Sequence, residues 1–475
     1  MAVAGCCHLV SRVVYNVYFH PLSNFPGPKW RAAFRSTWVW SMVSGSNHLR
    51  IKSLHDQYGP VVRVAPDELS FTDPTALPDI HSKSQSNKGL SKSKFITDNQ
   101  PLYHPFDGND EEHTRIRRKL LTSFSDKAVA SREPILQQYI DKLVGKLRQE
   151  RDAGRPVNLV EWLNWFSFDL IGELTFSESF SQLDRSASHP WITLMADHIK
   201  TTLLHMCSTF YQPFGKLLRL LTTRAFQHLI WQLVLPVRER IDRRLTRPDA
   251  GELNDIFGTF QPHNNGGKEF LGSERMIGTF FFFIIAGSET TSSTLAGLVN
   301  LLTQNPPVME KLRTEIQSVA RAQGLTLAAL AQTPYLNAAI KEGLRLCHPV
   351  VPPATRITPP EGKVIAGHYV PGNTCVGFLH YVANRSEANF ESAGKFLPER
   401  WLREKGLDGD TNAGFYPFSV GGHDCLGQNQ AWATMRLVLA NLVLEFEMEA
   451  IAPFPWEAQS GYATWKKRPY MVRLT

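Results

Sequence analysis

The stretch that decides the fold is FSVGGHDCLG, residues 418–427, which places one cysteine in a glycine-rich loop. No other cysteine lies between Cys375 and the C-terminus, so Cys425 does not belong to a CxxC metal or redox pair. Residues 431–440 are rich in good helix formers, and the positive end of a helix dipole favours the thiolate form of a cysteine at its N-terminus. A thiolate held in this way can bind iron from one side; the alternative is a buried, inert cysteine in a turn.

The loop resembles the haem-ligand loop of the cytochrome P450 superfamily, whose pattern is Phe-x-x-Gly-x-Arg-x-Cys-x-Gly. The matching residues are Phe418, Gly421, Cys425 and Gly427. The resemblance implies that Cys425 is the axial thiolate ligand of the iron of haem b, a ligand that favours cleavage of the O–O bond. His423 stands where the family has arginine, and a neutral imidazole donates one hydrogen bond where a charged guanidinium offers a bidentate fork.

A long helix is predicted upstream of this loop. Helical periodicity begins at Ser273, a candidate N-cap, and runs to about residue 304, just before the Asn-Pro-Pro sequence at 305–307. The run FFFFII at 280–285 is apolar on every face, which predicts that the helix is buried.

A polar group, AGSETT at 286–291, interrupts that apolar helix. Gly287 weakens the helix and the Thr290 hydroxyl can bond a carbonyl one turn back, so we expect a local opening of the helical hydrogen-bond ladder. The group resembles the oxygen-activation motif of the family, Ala-Gly-x-Asp/Glu-Thr-Thr/Ser, and matches every fixed position. The resemblance implies that Thr290 serves oxygen activation and that Glu289 helps to relay protons. Taken alone, the residues also fit a threonine-rich patch that packs against neighbouring helices.

Two motifs between the helix and the cysteine loop suggest a structural ion network. Glu342 and Arg345 are three residues apart, hence on one face of a predicted helix, although surface ion pairs share this spacing. Together with PERW at 398–401, they resemble the Glu-x-x-Arg and Pro-Glu-Arg-Phe motifs of the family, with Trp401 in place of phenylalanine. The resemblance implies a buried triad of Glu342, Arg345 and Arg400 that fixes the region of the cysteine loop, a structural role rather than a catalytic one.

Three further residues are candidates for holding the haem carboxylates. His113 and Arg117 resemble the Trp/His-x-x-x-Arg pair of the family's C helix, whose outer residues meet a haem propionate. Arg356 matches a family position just after the Glu-x-x-Arg helix that also contacts a haem propionate. The resemblance thus implies two cationic contacts that do not depend on residue 423. Surface arginines and a structural histidine are the alternatives at these positions.

The composition is that of an ordinary globular chain. It has 475 residues, of which 43% are hydrophobic and 20% charged. The formal net charge of +7 suits a solvated surface, the carboxylates of a haem, or docking of an acidic electron donor. Basic residues do not cluster with aromatic ones, which argues against nucleic-acid binding. The six scattered cysteines indicate neither a disulfide framework nor a zinc site and favour a reducing, cytosol-facing environment.

The N-terminal segment, residues 1–28, is predicted to be an incomplete membrane anchor followed by a proline-rich hinge. Spanning a bilayer takes about twenty predominantly apolar residues, whereas residues 1–19 include His8, Arg12 and Asn16. The sequence FPGP at residues 25 to 28 resembles the hinge that follows the anchor in microsomal members of the family. That resemblance implies the cytosolic face of the endoplasmic reticulum membrane; attachment to a membrane surface and a soluble cytoplasmic location both stay open.

The order of the motifs predicts one catalytic domain over residues 29–475. Motif residues from 113 to 427 serve one site, which outweighs the two or three domains that length alone suggests. The resemblance implies the cytochrome P450 fold, which is mainly α (α+β): a large helical domain with a long central helix and a smaller β-rich lobe. We expect that lobe to combine strands at 61–64 and 68–71 with residues near 355–380.

Segments such as YGPVVRVAP at 58–66 are most similar to fungal microsomal members of secondary metabolism. This similarity implies a haem-thiolate monooxygenase that inserts one oxygen atom of O2 into a lipophilic small molecule. Its electrons would come from NADPH through NADPH–cytochrome P450 reductase. Candidates for an apolar substrate pocket are the Ser93–Tyr103 loop, Phe283, Ala286, Val351 and Pro352.

Two other functions stay open on the sequence. A haem-thiolate isomerase, dehydratase or peroxygenase would bypass oxygen activation, although the intact Glu289 and Thr290 pair argues against it. A catalytically weak or inert haem-binding pseudoenzyme is suggested by His423 and by the incomplete anchor. Haem content distinguishes the pseudoenzyme, and replacement of Thr290 distinguishes the first class.

Overall fold

The computed structural model describes most of the chain. The described ranges are 2–82, 89–93, 110–211, 214–247, 249, 255–260, 272–402 and 414–475. Of the predicted substrate-pocket loop, residues 94–103 lie outside these ranges.

Helices dominate the described chain and confirm the mainly α prediction. Up to the central helix they are α1 (Ala2–Val14), α2 (Lys29–Ala33), α3 (Ser36–Val43), α4 (Asn47–Tyr58), α5 (Ala76–His81), α6 (Asp110–Leu120), α7 (Asp126–Ser131), α8 (Glu133–Asp152), α9 (Leu159–Phe176), α10 (Gln182–Arg185), α11 (Pro190–Cys207), α12 (Phe214–Thr246) and α13 (Ser273–Thr303). After it come α14 (Pro306–Gln323), α15 (Leu327–Ala331), α16 (Pro334–Leu346), α17 (His380–Ala383) and α18 (Gln428–Glu445).

Short strands form the β-rich part of the molecule. They are β1 (Val61–Ala65), β2 (Glu68–Phe71), β3 (Ser91–Lys92), β4 (Val157–Asn158), β5 (Arg356–Ile357), β6 (Lys363–Ile365), β7 (His368–Val370), β8 (Cys375–Phe378), β9 (Met448–Ala450), β10 (Ser460–Gly461), β11 (Trp465–Lys466) and β12 (Met471–Leu474). Five form one sheet in the order β1-β2-β8-β5-β3, with β2 and β8 parallel and the other pairs antiparallel. This sheet is the predicted β-rich lobe, because it unites the two N-terminal strands with strands from 355–380.

The central helix, α13, packs against α9, α12, α14, α16 and α18. Its 31 residues span roughly 45 Å. Gly272 rather than Ser273 occupies the N-cap, and the helix continues through residues 286–291 without the expected opening. Gly287 instead permits a close helix crossing, because a Cβ there would lie 2.6 Å from Ile171 Cδ1 on α9.

Two hydrophobic cores support this arrangement. The larger one lies among the helices and contains the buried side of α13. The smaller one lies at the five-stranded sheet, where Leu69, Phe71 and Val376 are fully buried. The two cores follow from the sequence pattern, since apolar residues recur at helical spacing in one region and form short β-rich runs in the other.

The proline-rich segment is attached to the β-rich lobe. Leu22 is fully buried in the smaller core. The carbonyl of Pro26 accepts a hydrogen bond from the backbone N–H of Arg63 on β1, at 2.7 Å. Among the described residues, no helix combines the length and the apolarity that crossing a membrane requires.

A fully buried carboxylate ties α16 to the segment before the cysteine loop. Glu342 accepts hydrogen bonds from Arg345 at 2.7 and 2.9 Å, from Arg400 at 3.0 Å and from the Trp401 indole at 2.9 Å. The backbone N–H of Leu397 donates to the same carboxylate at 3.0 Å. Both guanidinium groups are also fully buried. The structure therefore brings together the three charges of the predicted triad.

Replacement Glu342→Gln should destabilise the fold strongly. It removes the carboxylate that two buried guanidinium groups share, and removing one partner of a buried ion pair costs about 3–5 kcal/mol. The measurement is urea unfolding followed by circular dichroism, in which the midpoint should fall. The matched control Glu449→Gln breaks the exposed Arg473–Glu449 pair (2.8 Å) and should cost less than about 1 kcal/mol. Equal midpoints for the two variants would contradict this role of Glu342.

Candidate functional site

The cysteine loop is closed by its own backbone at the start of α18. The N–H of Cys425 donates to the carbonyl of Phe418 at 2.8 Å. Gly421 has a φ of +80°, a left-handed conformation that favours glycine. A Cβ on Gly421 would lie 2.5 Å from the carbonyl oxygen of His81, so the loop sits directly on the end of α5. Gly427 is the N-cap of α18, which places Cys425 just before that helix.

The Cys425 side chain is solvent-accessible and yet largely surrounded by protein. Burial raises the pKa of this thiol, and the Asp424 carboxylate adds to the rise, whereas the Gly427 backbone N–H and the Arg117 guanidinium lower the pKa. In the protein alone, desolvation therefore raises the pKa of the Cys425 thiol more than the N-terminus of α18 lowers it. The neutral thiol is favoured, contrary to the predicted preference for thiolate. A bound metal cation deprotonates a coordinating thiol outright.

Arg117, on α6, contacts the cysteine loop itself. Its guanidinium donates to the backbone carbonyl of Asp424 at 2.8 Å and forms an ion pair with the Asp424 carboxylate. The sequence predicted a haem propionate as the partner of Arg117 and did not predict Asp424. The family pattern leaves that position unspecified, so no motif pointed to it. Arg117 thereby fixes the backbone next to Cys425.

Four other basic side chains meet beside the loop. The rings of His113 and His423 lie 4.1 Å apart. Arg356, on β5, and His113 are 5% and 4% exposed. His81, at the end of α5, is buried close to Arg356 and His423, and desolvation together with these positive charges lowers its pKa to about 3. No motif contains His81, which is why the sequence did not identify it.

One face of the central helix is partly accessible although the helix crosses the core. Between 281 and 290, half-buried positions recur every four residues in two adjacent rows, which are Phe281, Phe282, Ile285, Ala286, Glu289 and Thr290; Gly287 is half-buried as well. From 291 to 300 every residue is buried. Because α13 packs against α18, which begins just after Cys425, the space beside this face and the cysteine loop is the candidate active site.

The two predicted catalytic residues have different partners. The Thr290 hydroxyl donates to the carbonyl of Ala286, one turn back, at 2.6 Å. Glu289 accepts a hydrogen bond from the Lys467 ammonium group at 2.8 Å. Thr290 therefore bonds within its own helix, as predicted from its residue type, while Glu289 belongs to an ion pair.

Lys467 connects Glu289 to a wider polar network. Its ammonium group donates to the Ser292 hydroxyl oxygen at 2.8 Å and to the Asn164 side-chain oxygen at 3.1 Å. The Ser292 hydroxyl in turn donates to Asn164 at 3.1 Å. The sequence did not reveal this lysine, because it lies 178 residues from Glu289 and no pattern links the two positions.

The predicted pocket residues divide into accessible and buried ones. Ala286 and Pro352 are half-buried, whereas Phe283 and Val351 are 7% and 3% exposed. Phe283 packs in the aromatic cluster of the larger core. Phe281 and Phe282 are the phenylalanines on the accessible face, and the spacing of four residues from Ala286 would have identified Phe282.

These features fit a haem. Within the described ranges, no group of three or more His, Cys, Asp or Glu residues could hold a metal ion, so Cys425 offers a single ligand. A Cβ on Gly422 would meet no atom within 4 Å, and one on Gly427 would meet Cys425 Sγ at 4.0 Å, which leaves room for a flat group. Arg356 and the neighbouring imidazoles can attract carboxylates. The fold and the site together define a haem-thiolate protein.

Comparison with known proteins identifies the family. The family model Cytochrome P450 matches residues 26–472. The cytochrome P450 monooxygenase astD of Aspergillus oryzae is 37% identical, over 97% of this chain and 90% of its own length. The averantin hydroxylase of Dothistroma septosporum is 35% identical, over 98% of this chain and 89% of its own length. The cytochrome P450 monooxygenase atr2 of Stereocaulon alpinum is 34% identical, over 98% of this chain and 93% of its own length.

The chain belongs to the cytochrome P450 family. It is a cytochrome P450 monooxygenase, an oxidoreductase of a family whose cofactor is thiolate-ligated haem. The fungal origin of its relatives fits the predicted role in secondary metabolism. The predicted family, fold class and enzyme class are thereby confirmed.

Replacement Gly421→Ala should damage the cysteine loop. A Cβ would approach the His81 carbonyl oxygen to 2.5 Å at a φ of +80°, and a strained left-handed residue costs about 1–3 kcal/mol. We expect a lower melting temperature and less bound haem per protein, measured by calorimetry and by the haem absorbance of the purified protein. Gly422→Ala is the matched control, because a Cβ there meets nothing within 4 Å. If both variants bound the same amount of haem, the close contact of Gly421 with the end of α5 would not be needed for haem binding.

Proposed function

We propose that this monooxygenase inserts one atom of O2 into a lipophilic small molecule in secondary-metabolite biosynthesis. Its electrons come from NADPH through NADPH–cytochrome P450 reductase, and residues 29–475 act as one catalytic domain. The observation that carries the proposal is the accessible thiol of Cys425, which lies at the start of α18 beside the central helix with its accessible face.

The chain supplies the ligand, the charges and the shape of the site. When bound, the haem supplies reductive activation of dioxygen and transfer of oxygen to carbon. Cys425 would provide the axial thiolate, and the backbone N–H of Gly427 stabilises negative charge on its sulfur. Arg356, His113 and His423 would hold the carboxylates. Arg117 holds the cysteine loop in position through its hydrogen bond to the Asp424 carbonyl.

Protons are delivered from the accessible face of α13 in this proposal. The Thr290 hydroxyl is a donor that can turn from the Ala286 carbonyl toward a ligand, at the loss of one hydrogen bond within the helix. Glu289 is the neighbouring carboxylate, and the Lys467 ammonium group holds it at 2.8 Å. Proton exchange between Lys467 and Glu289 Oε2 would supply new protons to the part of the site beside Thr290.

The substrate is lipophilic because the accessible rows of α13 are apolar beyond the Glu289 and Thr290 turn. Phe281, Phe282 and Ile285 offer aromatic and branched aliphatic surface, and Ala286 leaves space beside them. Burial of apolar surface yields about 25 cal/mol per Å², so such a wall selects apolar substrates. The net charge of +7 would favour docking of an acidic reductase. The membrane location stays a prediction.

Replacement Cys425→Ser tests the thiolate ligand directly. The reduced wild-type protein should give a strongly red-shifted Soret band with carbon monoxide, and Cys425→Ser should lose that band because a hydroxyl is a poor substitute for thiolate. The measurement is the carbon-monoxide difference spectrum. Cys6→Ser is the matched control, since Cys6 is an accessible cysteine on α1, and it should keep the wild-type spectrum. A wild-type protein without haem, or with a band at the shorter wavelength of other ligands, would instead support the pseudoenzyme.

Replacement Thr290→Ala should uncouple NADPH oxidation from product formation. Positioned proton donors contribute about 10²–10⁴-fold to a reaction, so product turnover should fall by roughly 10²-fold while hydrogen peroxide accumulates. The assay uses the purified protein with reductase and NADPH, and it compares product and peroxide per NADPH consumed.

The control for this experiment is Thr294→Ala, one turn further along α13. Thr294 makes the same type of bond, from its hydroxyl to the Thr290 carbonyl at 2.9 Å, but it is buried. Coupling should therefore survive in Thr294→Ala. Unchanged NADPH-driven turnover in Thr290→Ala would overturn the monooxygenase mechanism and favour a reaction without oxygen activation.

A further inference from the structure

We propose that protons enter the site from the side of the C-terminal strands, through Lys467, and that Lys467 is a positioning residue for this delivery. The inference rests on the proposed function, because it concerns the protons that the same site would consume. It goes beyond that function by naming the place of entry. It also assigns a role to Asn164 and Ser292, which would hold the Lys467 ammonium group when Glu289 turns toward the site.

The backbone on both sides of Lys467 is fixed by contacts that do not involve Glu289. The indole of Trp465, at the start of β11, donates to the carbonyl of His348 at 2.8 Å. On the other side, the backbone N–H of Arg468 donates to the side-chain oxygen of Gln459 at 2.6 Å. The fold therefore places Lys467 beside α13 independently of the ion pair.

The Lys467 ammonium group has three acceptors on two helices. It donates to Glu289 Oε2 and to the Ser292 hydroxyl on α13, both at 2.8 Å, and to Asn164 Oδ1 on α9 at 3.1 Å. An ammonium group carries three N–H donors, so these acceptors match all of them. When the Glu289 carboxylate leaves, two acceptors remain, and the buried cation is not left without partners. The release of Glu289 therefore breaks one charge-assisted hydrogen bond and leaves Lys467 in place.

The two remaining acceptors are positioned by helix packing. The Ser292 hydroxyl is buried and donates to Asn164 Oδ1 at 3.1 Å. The helices α9 and α13 approach closely here because Gly287, five residues before Ser292, has no Cβ; a Cβ would lie 2.6 Å from Ile171 on α9. Asn164 and Ser292 thus form a fixed site for an ammonium group, whatever the position of Glu289.

Lys467 connects the protein surface with the accessible face of α13. Its chain neighbours Lys466 and Arg468 are exposed, whereas its own side chain is 8% exposed and the side chain of Glu289 is 23% exposed. In the proposed step the ammonium group gives a proton to Glu289 Oε2 and regains one from solvent water, so Lys467 ends each turnover charged. The apolar residues at 281, 282 and 285 on the same face have side chains that carry no protons.

A purely structural ion pair is the alternative role for Lys467. Such a pair would attach the C-terminal strands to α13, and its loss would lower the stability of the fold without changing proton transfer. The solvent isotope effect separates the two roles, because it responds to the rate of proton transfer and does not follow from overall stability.

The test compares Lys467→Met and Lys467→Arg with wild type, as holoenzymes with NADPH and saturating reductase. Lys467→Met removes the charge at similar length, whereas Lys467→Arg keeps a charged donor. The probe is O2 itself, so the organic substrate need not be known. The measurements are the rate of O2 consumption per haem and the ratio of this rate in H2O to the rate in D2O. Lys466→Met is the matched control, because Lys466 is the exposed neighbour on β11.

We expect Lys467→Met to slow O2 consumption by about tenfold, the effect of one lost charge-assisted hydrogen bond. Its solvent isotope effect should increase, because proton delivery then limits the rate. Lys467→Arg should recover part of both effects, and Lys466→Met should behave as wild type. A wild-type rate together with a wild-type isotope effect in Lys467→Met would overturn the inference.

A second variant keeps the test decisive if Lys467→Met does not accumulate with haem. Ser292→Ala removes one of the two acceptors that remain when Glu289 leaves, so the release of Glu289 should cost more. We expect slower O2 consumption and a larger solvent isotope effect in Ser292→Ala as well. Wild-type values in this variant would contradict the role of the fixed ammonium site.

The failure of this inference is distinguishable from failure of the proposed function. A wild-type protein without the red-shifted carbon-monoxide band, or one that consumes no O2 with NADPH and reductase, would contradict the proposed function. A wild type that passes both tests, with rates and isotope effects that do not respond to residue 467, would contradict the role of Lys467 alone.

Discussion

The buried carboxylate of Glu342 is the interaction on which the rest of the structure depends. It accepts five hydrogen bonds from α16 and from the segment at 397–401, all in a place without solvent. Burying one carboxylate and two guanidiniums is costly unless every donor and acceptor is satisfied. Trp401 links the network to the chain that leads into the cysteine loop, since its ring lies 4.5 Å from that of Phe415. The buried charge network thus supports the segment that packs against Phe415, ten residues before Cys425.

Several basic side chains lie around the single thiol of the candidate site. Asp424 raises the pKa of Cys425, and Arg117 compensates through its ion pair with Asp424. Arg356, His81, His113 and His423 add four basic groups beside the loop. In the protein alone, the surroundings therefore favour the neutral thiol of Cys425 and lower the pKa of His81. A cofactor that brings both a cation for sulfur and carboxylates for the basic groups satisfies the two halves of the site at once.

Sequence patterns predicted the elements and the motif residues well, because they report local physics. Apolar periodicity gave the bounds of α13 to within about a residue, and the same reasoning identified the two N-terminal strands. The patterns failed where the partner is distant in sequence. Lys467 reaches Glu289 across 178 residues, and Gly421 meets His81 through the fold rather than through a motif. Gly287 was predicted to loosen the helix, but its neighbour is Ile171 on another helix, which only packing reveals.

The register of α13 shows why a site can be predicted while its wall is misassigned by one residue. Successive helix positions are rotated by about 100°, so Phe282 and Phe283 face different surroundings although both belong to one apolar run. Phe283 fills the core, and Phe282 shares a row with Ala286 and Thr290. In the proposed site, the two rows of accessible residues before Thr290 would contact the substrate, while the buried residues between them hold the helix in place. In the proposed site a smaller residue at 282 would change the shape of the pocket, whereas a smaller residue at 283 would create a cavity in the core and act on stability first.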